Sequence, residues 1–262
     1  MKVDEVTHDS KPPAIGFVAD VLSAARALVG QPTVALVPVV LWWLPILMFS
    51  QVSGNARINS WLAVVLLAQM LFLCGWAGAE RIFFLRQFEG TPIPLRHLFA
   101  LVEAFAGRFI ALGLLVGTAG ISLVVVLAIL FGGGSVKAHP TQIRVAMTVF
   151  VVIMDFALTF VPAALAFTTK SMRRALRIGF SMIRQTWPRS ALYVLCPVLA
   201  LNMNRLASPV HLPMLRLMVD GALTVVGLLA KGATVAFYLR ERPVHSDDGA
   251  AYVGVMDGPA VG

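Results

Sequence analysis

Long apolar runs that are almost free of charged residues limit most strongly how this chain can fold. The first run, PTVALVPVVLWWLPILMFS at residues 32–50, contains no charged side chain. A helix needs about 20 such residues to cross the roughly 30 Å hydrocarbon core of a bilayer. Five further runs of this kind follow along the chain. The sequence therefore predicts six transmembrane helices, over residues 32–50, 61–79, 109–131, 145–167, 191–206 and 214–239.

The composition excludes a water-soluble protein of this size. Of the 262 residues, 58% are hydrophobic and 13% are charged, whereas soluble domains have roughly 45–50% apolar and roughly 25% charged residues. The formal charge of +8 does not indicate a nucleic-acid-binding protein, because no segment is long and polar enough to form a soluble basic domain. We therefore predict an all-α, polytopic membrane protein with no nucleic-acid partner.

Three amphipathic segments, at residues 17–30, 95–106 and 170–189, each precede a pair of apolar runs. The third, KSMRRALRIGFSMIRQTWPR, is the most basic stretch of the chain. A helical projection puts its apolar residues on one face and most of its basic residues on the other, which is typical of a helix lying in the membrane interface. We call these segments elbow helices. The basic residues of the third elbow are candidate contacts for anionic lipid or a membrane-protein partner, or else serve only to orient the protein. They are Lys170, Arg173, Arg174, Arg177, Arg184 and Arg189.

The order of elbow and helical hairpin recurs three times, at intervals of about 75 residues, as in a three-fold internal repeat. The alternative is that any cytoplasmic loop leading into a span has this composition. The residue pattern leaves both interpretations open.

The Lys and Arg residues predict the orientation, because short cytoplasmic loops of membrane proteins are enriched in both. Fifteen lie on the side of the two termini and five on the other side. Both termini are therefore predicted in the cytoplasm and the protein in the cytoplasmic (inner) membrane. Residues 1–16 form a polar leader whose acids and prolines do not suit a signal peptide, so we expect no cleavage. Residues 241–262 are predicted to be a disordered cytoplasmic tail.

Asp155 and Lys231 are the charged residues placed most deeply in the predicted spans. Because a charge in the bilayer is costly, each is a candidate functional residue. Their predicted depths allow a salt bridge between them. In a structural role, the two charges neutralise each other or Lys231 reaches the inner interface. In a functional role, both act in a proton or substrate relay.

Four further polar residues lie in or near the predicted spans, and the sequence leaves open whether they line an outward-facing cavity or form hydrogen bonds between helices. They are Gln69, Asn202, Asn204 and Asp220.

The sequence predicts no catalytic residues, no metal site and no cofactor. The five histidines lie in loops or tails, and no HExxH or GxSxG motif is present. Cys74 and Cys196 both lie inside apolar runs, where buried thiols are usually inert. An enzyme acting on lipids is therefore the least supported class of function.

The segment FVPAALAFTTKSMRRALRIGFSMIRQTWPRSALYVL resembles a recurring block of bacterial six-span inner-membrane proteins. It is similar to the YciC-type proteins and to the membrane domain attached to some glycerophosphodiester phosphodiesterases. The resemblance depends on Pro162, Ala175 and Leu176, Ser181 and Trp187. It implies a six-helix membrane domain with elbow helices and a role in the bacterial envelope, and it carries no catalytic residues.

The function that these observations favour is that of a non-enzymatic membrane protein of the bacterial envelope, which contacts anionic lipid or assembles with other membrane proteins. The alternative is a small transporter or permease subunit that uses Asp155 and Lys231. A transporter predicts a polar cavity at these two residues, whereas a scaffold predicts a packed interior.

Overall fold

The computed structural model describes residues 16–49, 56–130, 140–206 and 213–241. Over these ranges the protein is all-helical and contains no β-strand, as predicted. The rest of the predicted leader and tail lies outside the described residues. The helices are α1 (Phe17–Gly30), α2 (Thr33–Phe49), α3 (Ala56–Phe88), α4 (Leu95–Leu130), α5 (Pro140–Leu158), α6 (Val161–Phe167), α7 (Met172–Thr186), α8 (Ala191–Leu206) and α9 (Pro213–Glu241).

Within the described ranges, four stretches of helix are long and apolar enough to cross a membrane, and they identify a multi-pass membrane protein. They are Ser60–Phe88, Leu95–Leu127, Val145–Phe167 and Leu217–Glu241. A fifth is reached if α1 and the first part of α2, which meet at an angle of 90°, count as one broken span. The predicted second, third, fourth and sixth spans overlap these four stretches.

The predicted first and fifth spans correspond to α2 and α8, which are short. The two helices contain 17 and 16 residues. At ~1.5 Å per residue they cover about 24–26 Å, somewhat less than the roughly 30 Å of hydrocarbon. The count of six spans and the three-fold repeat therefore remain predictions.

α3 is longer than the predicted second span. It does not end at residue 79 but continues through Glu80 and Arg81 to Phe88. Gly90 follows the helix with a φ of 72°, and the Thr91 N–H donates to the Arg86 carbonyl at 2.9 Å. This left-handed glycine ends the helix, because it turns the chain away from the helix axis. The backbone N–H groups that follow still donate to the last carbonyls of the helix.

The predicted elbow at residues 95–106 is not a separate helix. α4 runs unbroken from Leu95 to Leu130. It contains no proline, whereas Pro32 and Pro188 follow the first and third elbows, α1 and α7. Proline disfavours a helical conformation in the residue before it, so the chain bends after α1 and α7 and stays straight through α4.

The buried core lies at one end of the bundle. It is built from the C-terminal halves of α3 and α9, the N-terminal half of α4 and all of α6. The largest fully buried side chains there include Trp76, Phe83, Phe160 and Tyr238. The opposite halves of α3, α4 and α9 instead expose large apolar side chains, such as Ile121 at 67%. Surfaces of that kind are suited to contact with lipid tails.

Two glycines of α3 allow α4 to pack closely against it. A Cβ on Gly75 or Gly78 would lie closer than 3.0 Å to Val102 or Phe105 of α4. The sequence suggests Gly113 and Gly117 for this role, because they are spaced four residues apart. Both face a cavity instead, where an added Cβ meets only the Cys74 sulfur at 3.8 Å or nothing at all.

Candidate ligand cavity among the helices

A cavity of about 590 Å³ lies between α3, α4, α5, α6, α8 and α9. Its volume is within the roughly 300–1,000 Å³ of ligand-binding pockets. Its α3, α4, α5, α6 and α9 residues all belong to candidate membrane spans. Most of the wall is apolar, but three charged side chains reach it, namely Arg81, Asp155 and Lys231. The structure thus brings the two charged residues predicted in the spans to one cavity.

Interrupted helices form part of the cavity wall. α5 ends at Leu158 and α6 begins at Val161, with Pro162 in its first turn. α8 contains Pro197, which also lines the cavity. Proline suits the first turn of a helix, where its missing N–H has no helical partner, and inside α8 Pro197 removes one backbone hydrogen bond.

Lys231 forms an ion pair with Glu80. Its Nζ lies 3.4 Å from Glu80 Oε1, and the glutamate side chain is 2% exposed. The pair lacks hydrogen-bond geometry, since Glu80 Oε1 has no hydrogen-bond donor among the described residues. The sequence did not predict this partner, because Glu80 follows the expected end of the second span. α3 continues past that point and places Glu80 opposite α9.

Arg81 is 9% exposed, although the sequence placed it in a cytoplasmic loop. Its guanidinium donates to the carbonyl of Ala77, one turn earlier in the same helix. It also lies 5.6 Å from the ring centroid of Phe109 on α4, a distance at which a cation is attracted to the ring. No carboxylate forms a salt bridge with Arg81 among the described residues.

Asp155 belongs to the last turn of α5. The hydroxyl of Thr159, also in the cavity wall, donates to the Asp155 carbonyl at 2.8 Å. Asp155 lines the same cavity as Arg81 and Lys231. Across this space the residues can hold a ligand by charge and hydrogen bonds, with apolar contacts around it.

The polar residues predicted near the spans have different environments. Gln69 is buried, and its Nε2 donates across to the Leu41 carbonyl of α2 at 2.6 Å. Gln69 therefore forms a hydrogen bond between helices, which is one of the two roles that the sequence left open for these polar residues. Asp220 of α9 is also buried. Asn202 and Asn204 lie in α8, but their side chains are outside the described residues.

The third elbow corresponds to α7 and the residues on either side of it. Its buried stripe is Ala175, Gly179, Met182 and Thr186. All six predicted basic residues of this segment are exposed. One of them, Arg189, lies 4.0 Å from Glu241 at the end of α9. The charged surface of α7 thus faces away from the bundle.

A second buried charged cluster, which the sequence did not predict, connects α1, α8 and α9. Arg240 donates to both oxygens of Asp20, at 3.1 and 2.9 Å. Tyr193 donates to Asp20 Oδ2 at 2.5 Å, and its ring stacks on Phe237. Asp20 is 3% exposed. The only sequence signal was an acid on the apolar face of the first elbow.

Within the described ranges, no three His, Cys, Asp or Glu side chains come together as metal ligands. Cys74 and Cys196 are free thiols, and only Cys74 lines the cavity.

No protein-family model, curated protein sequence or solved structure matches this chain.

Proposed function

We propose that this protein is a small transporter or permease subunit of the bacterial inner membrane, with the cavity among α3, α4, α5, α6, α8 and α9 as its ligand site. It has six spans and both termini in the cytoplasm. The observation that supports this function is the position of Arg81, Asp155 and Lys231 around one cavity within the membrane spans. Charged residues at such depth are costly and mark substrate or ion pathways in many membrane proteins.

The cavity wall also fits this proposal. Small residues Gly113 and Gly117 leave room beside α4, and the interruption between α5 and α6 and the helix proline Pro197 lie in the facing wall. Transporter binding sites often use interrupted helices in this way, because irregular backbone is tolerated in a membrane where it lines a cavity.

The native Cys74 provides a direct test. In a Cys196→Ala background, Cys74 is treated in native membranes with a charged methanethiosulfonate and, separately, with the uncharged N-ethylmaleimide. Because both reagents need a reachable thiolate, we expect reaction with at least one of them. Reaction with the charged reagent indicates a water-filled path, and reaction with the maleimide alone indicates access from lipid.

Two controls complete this test. Gly117→Trp adds a large side chain where no atom lies within 4 Å, so it should fill the cavity and slow the labelling of Cys74 at least tenfold. Cys196 in a Cys74→Ala background does not line the cavity, and its labelling rate should be unchanged by Gly117→Trp. If Cys74 reacts with neither reagent, the cavity is closed and the proposal is wrong.

Contact with anionic lipid is a second function, supported by the exposed basic residues of α7. In our proposal Lys170, Arg173, Arg174, Arg177 and Arg184 lie at the cytoplasmic interface, where each cation near an anionic surface contributes about 1 kcal/mol. We expect replacement of Arg173, Arg174 and Arg177 by Gln to reduce phosphatidylglycerol in the purified protein, while Arg96→Gln does not. Equal lipid content in both variants would remove this function.

A further inference from the structure

We propose that the cavity binds a long-chain amphiphile with an anionic oxygen head group, a carboxylate or a phosphate, and that Arg81 holds this head group. The inference rests on the proposed function, because it requires the cavity to be a ligand site. It adds the class of the ligand and the residue that recognises it.

Arg81 has hydrogen-bond donors for which the described part of the chain shows no acceptor. A guanidinium carries five N–H donors. Among the described residues, the Arg81 guanidinium donates to the Ala77 carbonyl of the same helix. In an α-helix this carbonyl already accepts the backbone N–H of residue 81. The Phe109 ring contacts one face of the cation without accepting along the N–H directions. The remaining donors are therefore available to a ligand oxygen.

The burial of Arg81 makes an anionic partner favourable. The side chain is 9% exposed and lies within a candidate span, Ser60–Phe88, nearer to its C-terminal end. A cation in such surroundings is costly unless it is paired and hydrogen-bonded. Carboxylate and phosphate groups match the planar fork of arginine with two parallel hydrogen bonds, so they are the head groups that best satisfy it.

Lys231 is a weaker candidate for the same role. It also lines the cavity, but its charge is already compensated by Glu80 at 3.4 Å. Asp155 also lines the cavity, and an acidic side chain does not attract an anionic head group. The head group is therefore expected at Arg81, in the wall formed by α3 and α4, rather than near α5.

The rest of the wall suits a hydrocarbon chain. Beyond Arg81 the surface of α3 and α4 consists of side chains such as Met70, Leu73, Leu112 and Val116. Apolar contact is worth about 25 cal/mol per Å² of surface removed from water. A polar solute would gain little from contact with this apolar wall, whereas an acyl chain would remove its surface from water.

The experiment measures equilibrium binding of radiolabelled oleate, oleyl alcohol and dioleoyl phosphatidate to the full chain in nanodiscs of phosphatidylcholine. Oleate and oleyl alcohol share one chain and differ in the charged head. We expect the wild type to bind oleate, phosphatidate or both at least tenfold more tightly than oleyl alcohol. Tighter binding of oleate identifies a free fatty acid as the source of the head group, and tighter binding of phosphatidate identifies a phospholipid.

Variants separate the role of Arg81 from general stability. Arg81→Gln should remove the preference for the anionic ligand and leave binding of oleyl alcohol unchanged, and Arg81→Lys should recover only part of it. Arg108→Gln is the matched control, because Arg108 is a half-buried cation of α4 that bonds the Leu165 carbonyl at 3.2 Å and does not line the cavity. This control should keep the wild-type preference. Gly117→Trp should weaken oleate and oleyl alcohol alike.

Each outcome decides one of the two proposals. Equal binding of oleate, phosphatidate and oleyl alcohol by the wild type, or an unchanged preference in Arg81→Gln, overturns the assignment to Arg81. If none of the three probes binds while Gly117→Trp still blocks labelling of Cys74, the cavity remains a ligand site but the ligand is not an amphiphile. If Cys74 cannot be labelled either, the proposed function fails together with the inference.

Discussion

At the scale of single residues, two prolines within helices, Pro45 and Pro197, are matched by side-chain donors on neighbouring helices. Pro45 of α2 has no N–H for the carbonyl of Leu41, and Gln69 of α3 donates to that oxygen at 2.6 Å. Pro197 of α8 likewise has no N–H for the carbonyl of Tyr193. Thr234 of α9 donates to it at 3.1 Å. In a bilayer such carbonyls cannot be satisfied by water, so these bonds stabilise the contacts between helices.

This interpretation predicts coupling between Gln69 and Pro45. Gln69→Leu should lower the thermal stability of the purified protein, because leaving one buried carbonyl without a donor costs about 1–3 kcal/mol. In a Pro45→Ala background the residue at position 45 supplies its own N–H, so the same substitution should cost much less. The melting temperatures of the four proteins in one detergent measure this coupling. Equal losses in both backgrounds would show that Gln69 contributes only by packing.

At the scale of helices, α3 connects the parts of the structure. Its most extensive contacts are with α4, and it also packs against α9, α6, α1 and α2. The close approach of α4 depends on Gly75 and Gly78, and the extension of α3 beyond residue 79 carries Glu80 and Arg81 into the interior. One long helix thus provides both the packing surface and two of the buried charges.

Gly78→Ala is expected to destabilise the protein. Its new Cβ would lie closer than 3.0 Å to Phe105, and overpacking of this kind costs about 1–3 kcal/mol. The matched control is Gly117→Ala, whose Cβ meets no atom within 4 Å and whose alanine favours the helix. Thermal unfolding followed by size-exclusion chromatography compares the two. Similar melting temperatures would contradict the close packing of α3 on α4.

At the scale of the whole molecule, the proposed six spans depend on whether the short helix α8 crosses the membrane. If it does, the segments before α7 and after α8 lie on opposite sides. In a protein without Cys74 and Cys196, we expect a membrane-impermeant maleimide to label Ser208→Cys in intact cells. Lys170→Cys should react only after permeabilisation, because positively charged segments remain in the cytoplasm.

The same labelling experiment has one outcome that contradicts six spans. If both cysteines react from the same side, α8 does not cross, and α9 then begins on the side of α7. α4 provides an internal reference, since Leu95–Leu127 is a candidate span at 33 residues. Cysteines placed at its two ends should react from opposite sides in either case.

The sequence by itself determined the helical class, the approximate positions of the long apolar helices and the exposure of the basic residues around α7. These properties follow from the local order of apolar and charged residues, because each helix must present enough apolar surface to lipid. The span predicted at residues 145–167 coincides with a candidate membrane-crossing stretch for this reason. Asp155 and Lys231 were identified as candidate residues from their isolation within apolar runs.

Only the tertiary structure decided which of these residues meet. Lys231 pairs with Glu80 and Asp20 pairs with Arg240, although 151 and 220 positions separate the partners in the chain. The rotation of each helix and the points at which helices bend determine such contacts, and hydropathy does not encode either. Arg81 looked like a loop residue, yet the unbroken helix α3 buries it beside the cavity. The candidate site therefore emerged from packing, while the membrane class was already evident from the order of residues.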